Sequence, residues 1–320
     1  MSYLGRRLLH SVFILLGVSV LSFLFADLAP GDFYSALRAD PRMSPQAVEA
    51  MRQRAGADKS FPVRYGEWAL SSLRGDFGYS LAFNAPVGPL LWPRLAATLL
   101  LTSTATLLAW LAALPLGVWQ ASRRNRWSGR AVQILLTFLL AIPDLLLALG
   151  ALVLAMESGL FPLGGIVSRG FAEMSRSAQV RDVVRHMALP VSVLAAGMLP
   201  VLARHVRSAM VEAMEAPFAL SARANGIPQS RLLLRHVLPV AMHPLIALFG
   251  LSLGTLLSAS LLVEVVMGWP GLGPLFLEAV TARDFGVVLA VVMLSTTLLV
   301  LGNLTADLLL YRADPRIRVK

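Results

Sequence analysis

Long apolar runs separated by shorter polar segments dominate this chain. Six runs are long enough to cross about 30 Å of hydrocarbon. They lie near Leu8–Leu28, Leu95–Trp119, Ala131–Met156, Met187–Ala203, Leu238–Met267 and Phe285–Tyr311. The fourth run is the shortest, and Pro190 and Pro200 leave its limits open. The pattern predicts an all-α integral membrane protein with about six transmembrane helices and a small external segment between the first two.

Composition supports a membrane protein and excludes several other classes. The 320 residues are 57% hydrophobic and only 14% charged, whereas soluble domains are about a quarter charged. The only lysines, Lys59 and Lys320, follow no glycine-rich turn, so the chain lacks the phosphate-binding loop that P-loop ATPases require. There is no cysteine, and the five histidines show no metal-binding spacing. The sequence therefore predicts no catalytic, cofactor-binding or metal-ligating residues.

The net charge of +10 is explained by the way the chain is oriented in the membrane. The arginines lie between apolar runs, and they form no basic patch of the kind that binds nucleic acid. Basic residues outnumber acidic ones at both termini, in the loop after the second run and in the polar segment after the fourth. Since short cytoplasmic loops carry excess Arg and Lys, we expect these segments, and both termini, to be cytoplasmic.

The polar segment Met210–Pro239 has the pattern of two short helices. Pro217 suits the first turn of a helix, and Asn225-Gly226 suits its end, with Pro228 preventing continuation. Ser230 can cap a second helix. Each helix is too short to cross a membrane but is the right size to lie in a groove of a partner. An ordinary amphipathic loop between two spans is the alternative.

Ser221-Ala-Arg-Ala-Asn-Gly226, with Leu238-Pro239 downstream, resembles the cytoplasmic coupling loop of ABC importer permeases of the dipeptide and oligopeptide branch. The resemblance implies that loop 211–237 docks on an ATPase subunit. It assigns the contact to Pro217, Phe218, Ser221, Ala222, Arg223, Ala224, Gly226, Leu238 and Pro239. The chain departs from the family at Ala216-Pro217-Phe218, where an Asp-Tyr pair is common, and at Asn225, which replaces Lys.

Weaker motifs extend the resemblance over nearly the whole chain. They are Ala29-Pro-Gly-Asp32, Gly75-Asp-Phe-Gly-Tyr-Ser80, Arg94 with Ala97-Thr98-Leu99, Leu114-Pro-Leu-Gly117, Trp269-Pro-Gly-Leu-Gly273, Asn303-Leu-Thr-Ala-Asp307 and Asp314-Pro-Arg-Ile-Arg318. The resemblance implies a first helix with an external cap (1–93), a five-helix core (94–311) and a cytoplasmic tail (312–320).

The external segment resembles that of the B-type half of peptide importers. The resemblance therefore implies a multi-pass protein of the bacterial inner membrane that moves peptides by alternating access. Its implied partners are a C-type permease, two ATPase subunits that bind ATP and Mg²⁺, an extracytoplasmic binding protein and membrane lipid. Relatives also carry nickel chelates and glutathione, and these substrates remain open.

Two external features have both a functional and a structural interpretation. In the segment Gly75–Ser80, Asp76 and Tyr79 are candidates for contact with the binding protein, and a tight turn explains the same residues equally well. Trp269 follows the fifth run, where we expect an anchor at the membrane interface, and contact with the substrate is the alternative.

Four carboxylates lie in or near spans. Asp27 and Glu264 are near outer ends, where we expect them to be solvated, and Asp307 is expected to pair with Arg312. Asp144 lies in mid-span after a proline that should kink the helix, so we expect it to face the bundle interior. It is a candidate for the translocation path, and a structural contact with a neighbouring helix and a protonated, neutral carboxyl group are the alternatives. A proton-coupled transporter using Asp144 and Glu264 is the rival function. An intramembrane hydrolase is disfavoured, because no catalytic pair is present.

Overall fold

The computed structural model describes residues 3–29, 38, 44–54 and 59–313. The helices are α1 (Tyr3–Leu28), α2 (Pro45–Arg54), α3 (Phe61–Leu73), α4 (Val87–Ser122), α5 (Trp127–Ala141), α6 (Asp144–Ser158), α7 (Arg176–Glu215), α8 (Pro217–Ala224), α9 (Gln229–Val266), α10 (Leu272–Thr281) and α11 (Phe285–Ala313). Strands β1 (Tyr79–Ser80) and β2 (Ala85–Pro86) form a small antiparallel hairpin. The motif Ala29–Asp32, apart from its first residue, and the motif Asp314–Arg318 lie outside the described residues.

The predicted set of six spans is confirmed. Helices α1, α4, α7, α9 and α11 are long and apolar enough to cross a membrane. The pair α5 and α6 is bent by 94° at Ile142-Pro143 and makes a sixth span when it is counted as one broken helix. A proline cannot donate the helical hydrogen bond, and it disfavours helical geometry in the residue before it. The kink predicted at Pro143 is therefore present as a complete break.

The limits predicted for the fourth span were too short. Helix α7 has 40 residues, and Pro190 and Pro200 both lie inside it. An interior proline costs about 3 kcal/mol in an isolated helix. Here both prolines are buried, and α7 packs against α4 along much of its length. Tertiary burial therefore outweighs the local penalty.

The two-helix prediction for the polar segment was half right. Helix α8 is the first short helix, but residues 210–215 belong to α7. The second helix is the start of α9, and its cap is Pro228 and not Ser230. A π-helical turn, Leu232–Val237, joins it to the span immediately before Pro239. The wider π-helical turn accommodates Pro239, which would clash with the preceding turn of a regular α-helix and leave a carbonyl without its hydrogen bond.

The core of the bundle lies between α4, α7 and α9, with α11 against α9. Gly117 on α4 is essential to this packing, because an added β-carbon would collide with Val206 of α7. Outside this core, α1 packs on α11 and contacts α3. Phe23 of α1 meets Tyr65 and Trp68 of α3 with ring centroids 5.6 and 5.5 Å apart. The external segment thus contains an amphipathic helix, α3, whose aromatic side chains pack on α1.

Candidate functional site

Helix α8 is a short projection between the ends of α7 and α9. Pro217 is its first residue, as predicted, and the amides of Ala219 and Leu220 donate to the carbonyl of Ala216 at 3.0 and 3.2 Å. A sharp turn ends it. Gly226 has φ +74°, its amide donates to Arg223 O at 2.9 Å, and the Ile227 amide donates to Ala222 O at 3.2 Å. These are the two bonds of a Schellman motif, which requires a left-handed residue at this position.

One face of α8 anchors it to the core. Ala219 is fully buried, and it belongs to the same apolar cluster as Met210 at the end of α7 and Leu232 and Val237 at the start of α9. Ala222 and Ile227 pack against this cluster from its edge. The projection is thus joined to both flanking helices through shared packing, so it cannot move independently of them.

The other face of α8 is open. Phe218 is 40% exposed and Leu220 53% exposed, and Ser221, Arg223 and Ala224 are exposed beside them. An exposed aromatic residue with apolar neighbours and one arginine has the composition of a protein contact surface. Leu238 is partly buried and Pro239 exposed at the start of the long α9 span, so these two lie away from the tip.

Asp144 begins α6 and is exposed at the break between α5 and α6. Its carboxylate lies against Gly197 of α7, where an added β-carbon would collide with it. Within the described part of the chain, it is the one charged residue lining a recess of about 320 Å³. The other lining residues come from α7 and α9: Leu194, Gly197, Met198, Val201, Leu202, Leu248, Leu251, Ser252, Thr255, Leu256 and Ala259.

No basic side chain pairs with Asp144 within the described ranges. The first turn of a helix favours a negative charge, which helps an otherwise unpaired carboxylate to persist there. The recess can therefore take a cationic group beside an apolar one.

Glu264 is not solvated, contrary to the prediction. It is fully buried near the end of α9, and its Oε2 accepts a hydrogen bond from the Gly273 amide at 2.8 Å. The Leu272 amide donates to Thr98 Oγ of α4 at 2.9 Å. Gly271 passes so close to Glu264 and Thr98 that a β-carbon would overlap both. Glu264 and Thr98 together thus fix the start of α10 against α9 and α4.

Trp269 is likewise part of this buried network and not an interfacial anchor. It is 1% exposed, and its Nε1 donates to Ala97 O at 3.1 Å. Sequence reasoning missed the network because the bonds from Trp269 and Leu272 join residues 172 and 174 positions apart. The one sequence feature that could have indicated this network is the short Trp269–Gly273 segment between two apolar runs.

The turn interpretation of Gly75–Ser80 is confirmed. Gly75 and Gly78 have φ of +80° and +82°, and Asp76 Oδ1 accepts from the Gly78 amide at 2.9 Å. Tyr79 is exposed, with its hydroxyl donating to Asn84 at 2.8 Å. Sequence reasoning missed that Ser80 Oγ donates to the buried Asp284 at 2.6 Å, which ties the hairpin to the start of α11.

The two remaining carboxylates form ion pairs with other helices. Asp27 pairs with Arg64 of α3, so it is not simply solvated. Arg7 Nε of α1 lies 3.2 Å from Asp307 Oδ2 of α11. The predicted partner, Arg312, has a side chain outside the described residues. Both observed pairs fasten α1, which is otherwise poorly covered, to the rest of the chain.

Residues 113–319 match the model of one protein family, described as binding-protein-dependent transport system inner membrane component. The oligopeptide transport system permease protein AppB of Bacillus subtilis is 35% identical over 318 residues, which is 99% of each chain. The glutathione transport system permease protein GsiC of Salmonella typhimurium is 35% identical over 320 residues, the full length of both. A structure of the MetNI methionine ABC transporter in an inward-facing conformation, 21% identical, gives a TM-score of 0.56 over 70% of this chain and 96% of that one.

Proposed function

The chain belongs to the family of binding-protein-dependent transport system inner membrane components, and we propose that it is the permease subunit of an ATP-driven importer of short peptides. The observation that carries this proposal is helix α8. It is buried on one face against both α7 and α9 and exposes Phe218, Leu220 and Arg223 on the other. That arrangement suits a projection that docks in a groove of an ATPase subunit.

A movement of α8 caused by docking would be passed directly to the spans α7 and α9. Because Ala219 shares its cluster with Met210 of α7 and Leu232 of α9, a displacement of α8 must move both helices or break that packing. Cores of this kind respond by switching between discrete arrangements. Nucleotide binding on the partner thereby biases the permease toward an inward-facing or an outward-facing state.

The proposed assembly follows from this role. A second permease of the C type completes the path, and two cytoplasmic ATPase subunits bind ATP and Mg²⁺. An extracytoplasmic binding protein delivers the solute, and Asp76 and Tyr79, exposed beside the external hairpin, are its proposed contacts. The excess of basic residues in the short loops supports a cytoplasmic location for both termini and α8.

Peptide is the proposed solute class because the relative AppB is named for oligopeptide transport. Glutathione is the second candidate, because GsiC is equally identical over the full chain. Both solutes carry an amino group, and Asp144 supplies a carboxylate to a largely apolar recess. We therefore assign Asp144 to the path, as the residue that contacts the ammonium group or a cationic side chain.

The test is reconstitution with the two ATPase subunits, the second permease and the binding protein in proteoliposomes. We expect ATP-dependent uptake of di- and tripeptides, with glutathione as the alternative substrate. Uptake that persists without ATP and follows a proton gradient would contradict the proposal.

The role of Asp144 is tested in the same system. Asp144→Asn removes the charge and preserves the size, so uptake of cationic peptides should fall severalfold more than uptake of acidic ones, with basal ATPase activity retained. Equal loss for all peptides, together with a lower melting temperature of the complex, would instead show that Asp144 is structural.

A further inference from the structure

A small polar recess of about 120 Å³ lies between α4, α5 and α7, toward the end of the bundle that carries α8. Its lining residues are Gln120, Gln133, Leu136, Thr137, Leu140, Pro200, Arg204 and Arg207. Arg204 and Arg207 are three positions apart on α7, and side chains at that spacing lie on one face of a helix. Neither has an ion-pair partner among the residues that the structure describes.

Gln120 provides an independent indication of a ligand. This residue is 2% exposed, and its Nε2 is buried without an acceptor in the described part of the chain. A buried amide donor without a partner is unfavourable and rare, so it marks a place where an acceptor belongs. No carboxylate from the described ranges lines the recess. The donor set of two guanidinium groups and an amide therefore selects an oxyanion.

Neither nearby carboxylate forms an ion pair with Arg204 or Arg207 in the described part of the chain. Glu212 and Glu215 line an adjoining recess further along α7, which Arg204 and Arg207 also border. Glu215 pairs with Arg124 from the loop after α4. Glu212 is five positions beyond Arg207, about 7.5 Å further along the helix axis.

The position of the recess indicates a lipid source for the oxyanion. Gln120 is two residues from the end of α4, and Trp127 at the start of α5 is 82% exposed. Exposed tryptophans concentrate at the level of lipid headgroups. Leu140, which lines the recess on the same face of α5 as Gln133, is 41% exposed and offers an apolar surface on which an acyl chain can lie.

We propose that Arg204, Arg207 and Gln120 bind the phosphate of an anionic phospholipid headgroup. Such a lipid would bridge α4, α5 and α7, and α7 leads directly into α8. The proposal goes beyond the transport function and does not depend on which solute is carried.

The experiment uses the assembled transporter in nanodiscs that contain phosphatidylglycerol and phosphatidylcholine, with retained lipid measured by native mass spectrometry. The double variant Arg204→Gln/Arg207→Gln should retain at least about tenfold less phosphatidylglycerol, because each lost charge-assisted hydrogen bond accounts for roughly that factor. The matched control is Arg176→Gln/Arg181→Gln, which removes two exposed arginines from the other end of α7 and should leave retention unchanged.

Two results would overturn the proposal. One is equal phosphatidylglycerol retention in the double variant and in the control. The other is saturable binding of inorganic phosphate in discs without phosphatidylglycerol, detected by ³¹P NMR and lost in the double variant, since this would assign the site to a soluble oxyanion. If the double variant fails to assemble, Gln120→Leu, which removes only the buried donor, must reduce retention for the proposal to stand.

Discussion

Gly226 is the position at which the role of helix α8 can be tested most sharply. Its φ of +74° lies in the left-handed region, where a residue with a β-carbon costs about 1–2 kcal/mol and a β-branched residue costs more. A β-carbon added there would meet no atom within 4 Å, so space is not the constraint. Gly226→Val should therefore disturb the turn without disturbing the core.

The size of the effect follows from that penalty. If the substituted valine must leave the left-handed region, the Schellman bonds to Arg223 O and Ala222 O are lost and α8 changes its direction. A penalty of about 2 kcal/mol leaves the correct turn populated in roughly one molecule in thirty. We expect peptide uptake to fall by about that factor, while expression and insertion remain near normal.

The assay compares ATP-dependent uptake and ATPase activity in proteoliposomes, with Gly226→Asn as the matched control. Asparagine adopts the left-handed conformation more readily than other residues with a β-carbon, so this variant should retain most of its activity. Full uptake and substrate-stimulated ATPase in Gly226→Val would refute the coupling role. Equal loss in both variants would refute the conformational reasoning.

Two further predictions concern the buried network and the topology. Glu264→Leu should lower the melting temperature of the purified complex, because the Gly273 amide loses its acceptor at a cost of about 1–3 kcal/mol. Glu264→Gln keeps an acceptor oxygen and should melt close to the wild-type temperature. If Glu264→Leu melts at the same temperature as Glu264→Gln, Glu264 has no structural role. Since the chain has no cysteine, single cysteines at Arg126 and Gln229 should be shielded from a membrane-impermeant reagent in intact cells and one at Ala57 should react. The opposite labelling would reverse the orientation.

The features that the sequence predicted well are those determined by neighbouring residues. Runs of apolar residues located the spans, Pro143 located the break, and Pro217 with Gly226 located both ends of α8. At the break and at both ends of α8, the physical cause is local: proline restricts the backbone, and glycine can adopt a positive φ.

The features that the sequence did not predict depend on distant contacts. Pro190 suggested the end of a span, but burial against α4 keeps the α7 helix continuous there. Glu264 and Trp269 were expected to be accessible, yet their acceptors and donors come from Ala97 and the start of α10. Gln120 and Arg204 likewise come together only in the fold.

The position of α8 suits the coupling role that we propose for so small an element. Helix α7 has 40 residues, about 60 Å of helix, so it is longer than the hydrocarbon core, and α8 extends directly from its end. Helices α7 and α9, both anchored to α8, form two of the three walls around Asp144. The third wall, α6, is separated from α5 by the break at Ile142-Pro143. Because α6 packs directly on α7 and α9, a displacement of α8 that moves those two helices would reach all three walls of the recess, and the break would let α6 respond independently of α5.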